Sequence, residues 1–244
     1  MKNNIEIHVA NVSKRFKDIL ALDDVSMRFE SGNLYGVIGP AGAGKTTLFR
    51  IMLDLMQANS GDVRYHKNST RISFNKIREY IAYMPQSQSL YSDLSVAEHL
   101  DFFRKLYGIN DDDFQRKKVE LVHLARLDKF LDRPAGELSG GMYKKLGLIC
   151  ALLRSPQIML LDEPTNGVDP ISRREFWDLL YSAVSDGILV LMSTAYMDEA
   201  ERCTAVVLME YGRVLAHGAP GNLLQKYNSQ NFDELFLARG GKQE

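Results

Sequence analysis

The residues best suited to chemistry form a glycine-rich segment that ends in a lysine and two threonines. Gly39-Pro40-Ala41-Gly42-Ala43-Gly44-Lys45-Thr46-Thr47 contains the pattern G-x-x-x-x-G-K-[ST]. Glycines let backbone N–H groups converge on phosphate oxygens, and a helix that begins there directs its positive end at them. We expect Lys45 to place a charge on the β- and γ-phosphates and the Thr46 hydroxyl to ligate Mg²⁺. The segment therefore predicts a binding site for nucleotide phosphates.

Two acidic residues follow a short apolar run in the last third of the chain. Residues 158–161 are Ile-Met-Leu-Leu, and Asp162 and Glu163 come directly after them. A buried strand of this kind delivers its last residues to the carboxyl edge of a parallel sheet, where such sheets place ligands. We expect Asp162 to hold Mg²⁺ through water and Glu163 to polarise an attacking water as general base. Two solvated acids at a strand end are the alternative for the pair standing alone.

Apolar periodicity indicates the elements that must position these motifs. Strand patterns occupy residues 5–12, 25–30, 34–38, 80–84, 158–161, 188–193, 206–209 and 214–216. Helical patterns occupy 46–56, 171–184 and most of 92–154, with loops at 108–113 and 132–136. Strands that alternate with helices predict an α/β core with a parallel sheet, into which the helical middle is inserted.

The charge balance and the number of cysteines argue against some classes of protein. The 244 residues carry 30 basic and 31 acidic side chains, so the chain lacks the basic excess typical of nucleic-acid-binding proteins. Two cysteines, Cys150 and Cys203, are too few for a disulfide scaffold or a zinc site, and we expect both to be packing residues.

Neither a targeting segment nor a membrane span is predicted. Residues 1–10 lack the apolar run of a signal peptide. The longest apolar runs, 146–153 and 188–192, fall far short of the ~20 residues that span a bilayer. We therefore expect a soluble chain, with any membrane span supplied by another polypeptide. Asp111-Asp112-Asp113 lacks the spacing of a calcium loop and predicts a solvated turn.

A third motif makes the interpretation specific. In Leu138-Ser139-Gly140-Gly141-Met142 a serine and two glycines precede helix-favouring residues, which indicates a second helix N-terminus able to bind an anion. Together with the glycine-rich segment and Leu161-Asp162-Glu163-Pro164, it makes the chain resemble the ATP-binding subunit of an ABC transporter. The resemblance covers nearly the whole chain and rests on several independent motifs.

The resemblance implies a fold and its ligands. The fold is α/β, the ABC ATPase fold, with a P-loop NTPase (RecA-like) core, an antiparallel β subdomain and an inserted helical subdomain. We expect a single domain over 1–244, with the core and β subdomain at about 1–86 and 157–220. The helical insertion then covers about 87–156, and a C-terminal helical extension covers about 221–244. ATP and Mg²⁺ are the implied ligands.

The resemblance also assigns roles to matching positions. Phe16 stands where the family stacks an aromatic ring on adenine, although a core packing residue at a strand end is the alternative. Gln86 matches the glutamine that reaches Mg²⁺ and relays to the membrane subunit, which adds it to Lys45 and Glu163 as a catalytic candidate. Asp169, in Asn166-Gly167-Val168-Asp169, matches a loop that crosses a dimer interface. Ser139-Gly140-Gly141 would contact the γ-phosphate held by the opposite subunit of a head-to-tail dimer.

One position departs from the family pattern. The family usually has Ser-Thr-His after the apolar run at 188–192, whereas this chain has Ser193-Thr194-Ala195. Alanine cannot hydrogen-bond the γ-phosphate or orient the attacking water, and loss of one such group typically costs ~10²–10³ in rate. We therefore predict that the chain's own site turns ATP over slowly while its intact signature completes the site of a second ATPase. Compensation by water or by Tyr196 is the alternative.

The resemblance implies coupling of ATP hydrolysis to export through a separate membrane subunit. It further implies a peripheral location on the cytoplasmic side of the membrane and a second ABC ATPase subunit, identical or different. Aromatic residues after position 90 match the groove that receives the membrane subunit, or are plain core. A soluble ABC protein acting on ribosomes or nucleic acid is the alternative function, and an unrelated phosphate-loop kinase or GTPase would have no use for the 138–142 signature.

Overall fold

The computed structural model describes residues 4–87 and 90–240 as two β-sheets flanked by helices. The strands are β1 (Ile5–Phe16), β2 (Ile19–Glu30), β3 (Leu34–Ile38), β4 (Ser60–Lys67), β5 (Thr70–Ile72), β6 (Ile81–Met84), β7 (Ile158–Asp162), β8 (Leu189–Thr194), β9 (Ala205–Glu210) and β10 (Arg213–Gly218). The α-helices are α1 (Lys45–Met52), α2 (Phe74–Ile77), α3 (Val96–Tyr107), α4 (Asp111–Leu124), α5 (Gly140–Leu152), α6 (Pro170–Ser185), α7 (Pro220–Tyr227) and α8 (Phe232–Arg239).

The larger sheet is mainly parallel and gathers the chemical motifs at one edge. Its strand order is β10-β9-β3-β8-β7-β6, with β10 antiparallel to β9. Every residue of β7 is buried, as a parallel sheet covered on both faces requires. In the register, Ile38 pairs with Thr194 and Asp162 pairs with Ser193, so β3, β7 and β8 end side by side. This carboxyl edge is where an open α/β sheet binds ligands.

The smaller sheet is antiparallel, with the order β2-β1-β4-β5. Ile5, Ile7 and Val9 of β1 are buried in a cluster that also contains Leu48 and Phe49 of α1. The sheet therefore packs over α1, and β1 carries its last residue towards the glycine-rich segment that precedes this helix.

The long segment between β6 and β7 is helical and packs onto the other side of the core. Leu100 of α3 and Leu146 of α5 share one buried cluster with Trp177 of α6. The same cluster contains Leu223 and Phe232, which attach α7 and α8. The alternation of strands with helices confirms the predicted α/β class with a parallel sheet.

Several expectations about local structure were wrong or incomplete. Asp111-Asp112-Asp113 is the exposed first turn of α4 rather than a turn, because Asn110 caps the helix by accepting a hydrogen bond from the Asp113 N–H. Three carboxylates at a helix N-terminus are favoured by the helix dipole. Helix α1 ends at Met52, earlier than the apolar pattern indicated, and strand β4 was not predicted at all.

Candidate nucleotide-binding site

The glycine-rich loop lies between β3 and α1, at the carboxyl edge of the parallel sheet. Gly42 and Gly44 have φ angles of +82° and +100°, a region that favours glycine. A Cβ on Gly39 would lie 2.1 Å from the carbonyl oxygen of Met209, so the backbone there passes too close for any side chain. A Cβ on Gly42 would meet no atom within 4 Å, which indicates open space beside the loop. The loop thus curves around a space that its own backbone N–H groups can face.

Lys45 is the first residue of α1, and its side chain is only 4% exposed. Its Nζ donates hydrogen bonds to the carbonyl oxygens of Gly39 and Pro40 at 2.7 and 3.0 Å. The same Nζ lies 3.3 Å from Oε1 of Glu163. The buried cation is therefore held against the loop and paired with the acid that follows β7.

Asp162 provides a set of oxygen atoms suited to a hard cation. Its Oδ1 accepts hydrogen bonds from the hydroxyls of Thr46 and Ser193, at 3.1 and 2.5 Å. Its Oδ2 is buried and has no hydrogen-bond partner among the described residues. An unsatisfied buried carboxylate oxygen next to a threonine hydroxyl fits Mg²⁺, which prefers oxygen ligands.

Glu163 is held from both sides by residues of neighbouring strands. Its backbone N–H donates to the Ser193 hydroxyl at 2.9 Å, and its φ is +47°, a rare conformation for a glutamate. Gln86, just beyond β6, donates from Nε2 to Oε2 of Glu163 at 2.9 Å. The carboxylate thus faces both Lys45 and Gln86.

An open cavity of about 360 Å³ lies beside the glycine loop. It is lined by Phe16, Ile19, Ala21, residues 41–47, Gln86 and Glu163. Phe16 is 42% exposed at the end of β1, so it is not a core residue. A flat aromatic ring at the rim of a phosphate-binding loop offers a stacking surface for a base.

The signature and Asp169 lie elsewhere, at the N-termini of α5 and α6. Ser139 caps α5 by accepting a hydrogen bond from the Met142 N–H, and Asp169 caps α6 by accepting from the Ile171 and Ser172 N–H groups. A Cβ on Gly141 would lie 2.3 Å from the Cβ of Ser172, so the two helix starts are in close contact. The hydrogen bonds from Ser172 hold the pKa of Asp169 below its usual value.

The described residues that line the cavity at the glycine loop do not include Ser139, Gly140, Gly141 or Asp169. The structure therefore brings together the predicted residues of the loop, Asp162, Glu163, Gln86 and Phe16. It gathers the signature and Asp169 in a separate group on the same chain.

Ala195, the position at which the resemblance leads us to expect a histidine, is exposed just after β8. The neighbouring Tyr196 donates its hydroxyl hydrogen to Oδ1 of Asn166 at 3.3 Å, and the guanidinium of Arg173 lies 4.6 Å from its ring centre. None of the five histidines of the chain is among the described residues that line the cavity.

Comparison with known proteins decides the family. Residues 22–166 match the ABC transporter family, more than half of the chain. The chain belongs to the ABC transporter ATP-binding family. The prediction made from the three motifs is thereby confirmed.

Two curated relatives of this ABC domain are named as ATP-binding proteins of transport or export systems. It is 39% identical over 238 residues to the probable multidrug ABC transporter ATP-binding protein YbhF of Escherichia coli, with 94% of this chain and 40% of that protein covered. It is 34% identical to the Nod factor export ATP-binding protein I of Sinorhizobium fredii, with 96% of this chain and 69% of that protein covered. The chain thus spans about 40% of the length of the first relative. Neither name supports action on ribosomes or nucleic acid.

Solved structures support the fold assignment. An ATP-binding subunit of an ABC transporter superposes with a TM-score of 0.83 at 28% identity, covering 96% of this chain and 99% of that one. An ATP-binding cassette in its ADP conformation superposes with a TM-score of 0.80 at 22% identity, which supports the fold alone. The predicted ABC ATPase fold is therefore confirmed. Within residues 4–87 and 90–240, no helix of this ABC domain is long and apolar enough to cross a membrane.

Two side chains that the sequence patterns do not predict, Ser193 and Glu199, form buried hydrogen bonds in this ABC domain. Ser193 bridges Asp162 and Glu163 from the neighbouring strand. Glu199 is fully buried, accepts a hydrogen bond from the Thr165 hydroxyl at 3.1 Å, and has its pKa raised by burial. The signal for Ser193 was a polar residue at the end of an apolar strand, whereas an acid in the Asp198-Glu199-Ala200-Glu201 run gives no sign of burial.

Proposed function

We propose that this chain binds and hydrolyses ATP to drive export through a separate membrane subunit. We further propose that its own site is slow because Ala195 replaces a histidine, and that its signature completes the site of a second ATPase. The observation that carries the proposal is the joint placement of Lys45, Glu163 and Gln86 around one cavity beside the glycine loop. The export assignment rests on the name of the Nod factor export relative and not on the geometry.

Nucleotide binding follows from the loop and from Phe16. Positive φ angles at Gly42 and Gly44 turn the backbone around open space, and α1 begins there with its positive end towards that space. Lys45 supplies a fixed positive charge at the same place. Phe16 offers a partly exposed ring across the cavity for the adenine.

The metal would be held by Asp162 through its unpaired Oδ2, with the hydroxyl of Thr46 beside it and Gln86 approaching from β6. When bound, Mg²⁺ neutralises charge that develops on the phosphate oxygens. Ser193 keeps Asp162 in place by donating to its other oxygen.

Glu163 is suited to act as the general base. Its two oxygens face Lys45 and Gln86, so a γ-phosphate that pairs with Lys45 removes one partner of the carboxylate. Glu163 then accepts a proton from a water whose oxygen attacks the γ-phosphorus, while the bond to the ADP oxygen breaks. Gln86 holds the carboxylate in position and connects it to the segment after β6.

The separation of the signature from the chain's own loop supports the proposed dimer. Gly141 at the start of α5 lies close to Asp169, outside the cavity that contains Lys45. A second ATPase subunit facing this surface would bring its γ-phosphate to Ser139 and Gly141. A membrane subunit selects the substrate, and the ATPase sits against it on the cytoplasmic side of the membrane.

The impaired site is supported by what surrounds Ala195. The hydroxyl of Tyr196 is engaged with Asn166, and its ring is covered by Arg173, so Tyr196 does not replace the missing imidazole. A histidine at 195 would stand directly after the strand that carries Ser193. Loss of such a charge-stabilising group lowers the rate by ~10²–10³.

Steady-state ATP turnover of the purified chain and of Ala195→His tests the proposal. We expect the substitution to raise turnover by ~10²–10³, with Glu163→Gln abolishing the gain. Fast turnover of the wild type that Ala195→His does not increase would contradict the impaired site but keep the ATPase. Absence of ATP binding, measured by calorimetry with Mg²⁺ present, would contradict the function itself.

A further inference from the structure

The polar face of the antiparallel sheet carries three side chains of the types that bind transition metals. Glu6 and His8 are two residues apart on β1 and point to the same side of the sheet. His66 on β4 pairs directly with Glu6 in the register. The three side chains therefore meet above the pairing of β1 with β4.

The distances between them are short. Nε2 of His8 lies 3.0 Å from Oε2 of Glu6, and the ring centres of His8 and His66 are 4.4 Å apart with an interplanar angle of 38°. One ligand atom from each of the three residues lies within 4.8 Å of the others. Tetrahedral zinc with bonds of ~2.1 Å holds its ligand atoms ~3.4 Å apart, so small side-chain rotations suffice.

An independent feature of His66 points to a ligand-binding role. Its Nδ1 is buried and has no hydrogen-bond partner among the described residues. Buried polar atoms of side chains are nearly always satisfied, so a buried ring nitrogen without a partner needs an explanation. An imidazole beside a second imidazole and a carboxylate is a set of ligands that can bind a metal ion.

We propose that Glu6, His8 and His66 form a Zn²⁺ site on the outer face of the antiparallel sheet. Two imidazoles and one carboxylate are the protein ligands of known zinc sites in which a water fills the fourth position. Hard cations such as Mg²⁺ and Ca²⁺ prefer sites built only of oxygen. The proposal does not depend on the function proposed above.

Neighbouring polar and charged groups affect the affinity of the site for Zn²⁺. Oε2 of Glu6 also accepts a hydrogen bond from Nη2 of Arg28 at 2.8 Å, and Oε1 accepts from the side-chain amide of Asn4 at 3.2 Å. Arg71 on β5 pairs with His66 in the register and adds another positive charge. These cations oppose Zn²⁺, so removal of Arg28 strengthens binding.

The site lies far from the nucleotide cavity along the same strand. Glu6 and Phe16 are ten residues apart on β1, which corresponds to up to ~33 Å of extended chain. A zinc ion here would fasten β1 to β4 and stabilise the antiparallel sheet, since a ligand that binds only the folded state raises its stability.

Isothermal titration calorimetry of the full chain with ZnCl₂, in the presence of Mg²⁺ and ADP, tests the site. We expect one Zn²⁺ per chain, with affinity at least about tenfold weaker in His8→Gln and in His66→Gln. His217→Gln, a matched change of an exposed histidine on β10, leaves binding unchanged. Circular dichroism of each variant verifies the fold.

Arg28→Gln is expected to increase the affinity for zinc, a result that misfolding of the variant cannot produce. We expect tighter zinc binding and a larger rise of Tm with Zn²⁺ than in the wild type, because a competing cation is removed. Absence of zinc binding, equal binding in His66→Gln, or no tightening in Arg28→Gln would each overturn the proposal.

Discussion

Nζ of Lys45 lies 3.3 Å from Oε1 of Glu163, which pairs the cation of the glycine loop with the acid at the end of β7. The two side chains are 4% and 15% exposed, so water screens the pair poorly. A bound γ-phosphate would compete with Glu163 for Lys45. The proposed base, Glu163, is thus positioned by Lys45, which is also the group that a bound γ-phosphate needs.

Glu163→Gln should lower the rate of ATP hydrolysis without weakening ATP binding. The amide keeps the shape and a hydrogen bond to Gln86 but cannot accept a proton from water, so we expect turnover to fall by ~10²–10⁴. ATP affinity should stay the same or rise, because Lys45 loses a competing carboxylate. Single-turnover hydrolysis and equilibrium ATP binding measure the two effects, with exposed Glu79→Gln as the control. Comparable loss of both would argue against a base.

Phe16→Ala tests whether the exposed ring stacks on adenine. Stacking of a base on an aromatic side chain is worth ~1–3 kcal/mol, so we expect ATP affinity to fall by roughly 5- to 150-fold. Affinity for inorganic triphosphate should not change, since the loop and Lys45 are intact. Equal weakening of both ligands would show that Phe16 acts through the loop. Tyr211→Ala, which removes another exposed aromatic ring, is the control.

Adjacent glycines in the signature should respond differently to alanine. A Cβ on Gly141 would lie 2.3 Å from the Cβ of Ser172, whereas the nearest atom to a Cβ on Gly140 is the Gly167 carbonyl oxygen at 3.9 Å. We expect Gly141→Ala to lower the free energy of unfolding by ~1–3 kcal/mol. Gly140→Ala should be neutral or slightly stabilising, because alanine is favoured in a helix. Urea unfolding distinguishes them, and equal stabilities would contradict the close contact.

Glu199 should make stability depend on pH in a defined direction. Burial raises the pKa of its carboxyl above 4.5, so the folded chain keeps a proton that the unfolded chain has lost. The contribution of Glu199 to the free energy of unfolding is therefore complete below pH 4.5 and is lost as the pH rises through the raised pKa. The side chain of Glu199→Gln cannot ionise. The variant should therefore become more stable relative to the wild type as the pH rises through this window. Unfolding curves against pH measure the trend, and exposed Glu201→Gln should not show it.

The local motifs were readable from the sequence because their chemistry depends on residues close together in the chain. The glycine loop before α1, Asp162-Glu163 after β7 and the 138–142 signature each combine a short pattern with an adjacent strand or helix. Apolar runs such as those of β3 and β7 identified the parallel sheet, since strands buried on both faces are apolar throughout.

Strand β4 and the long-range contacts were decided by the tertiary structure. Ser60–Lys67 is mostly polar, with only Tyr65 buried, and it forms a strand because β1 supplies its hydrogen-bond partners. Ser193 and Glu199 acquire their positions from neighbouring segments that are distant in sequence. The sequence by itself determined which groups could bind a nucleotide. Only strand order and packing decided that Lys45, Glu163 and Gln86 share one cavity and that the signature lies outside it, because these contacts join residues that no local pattern connects.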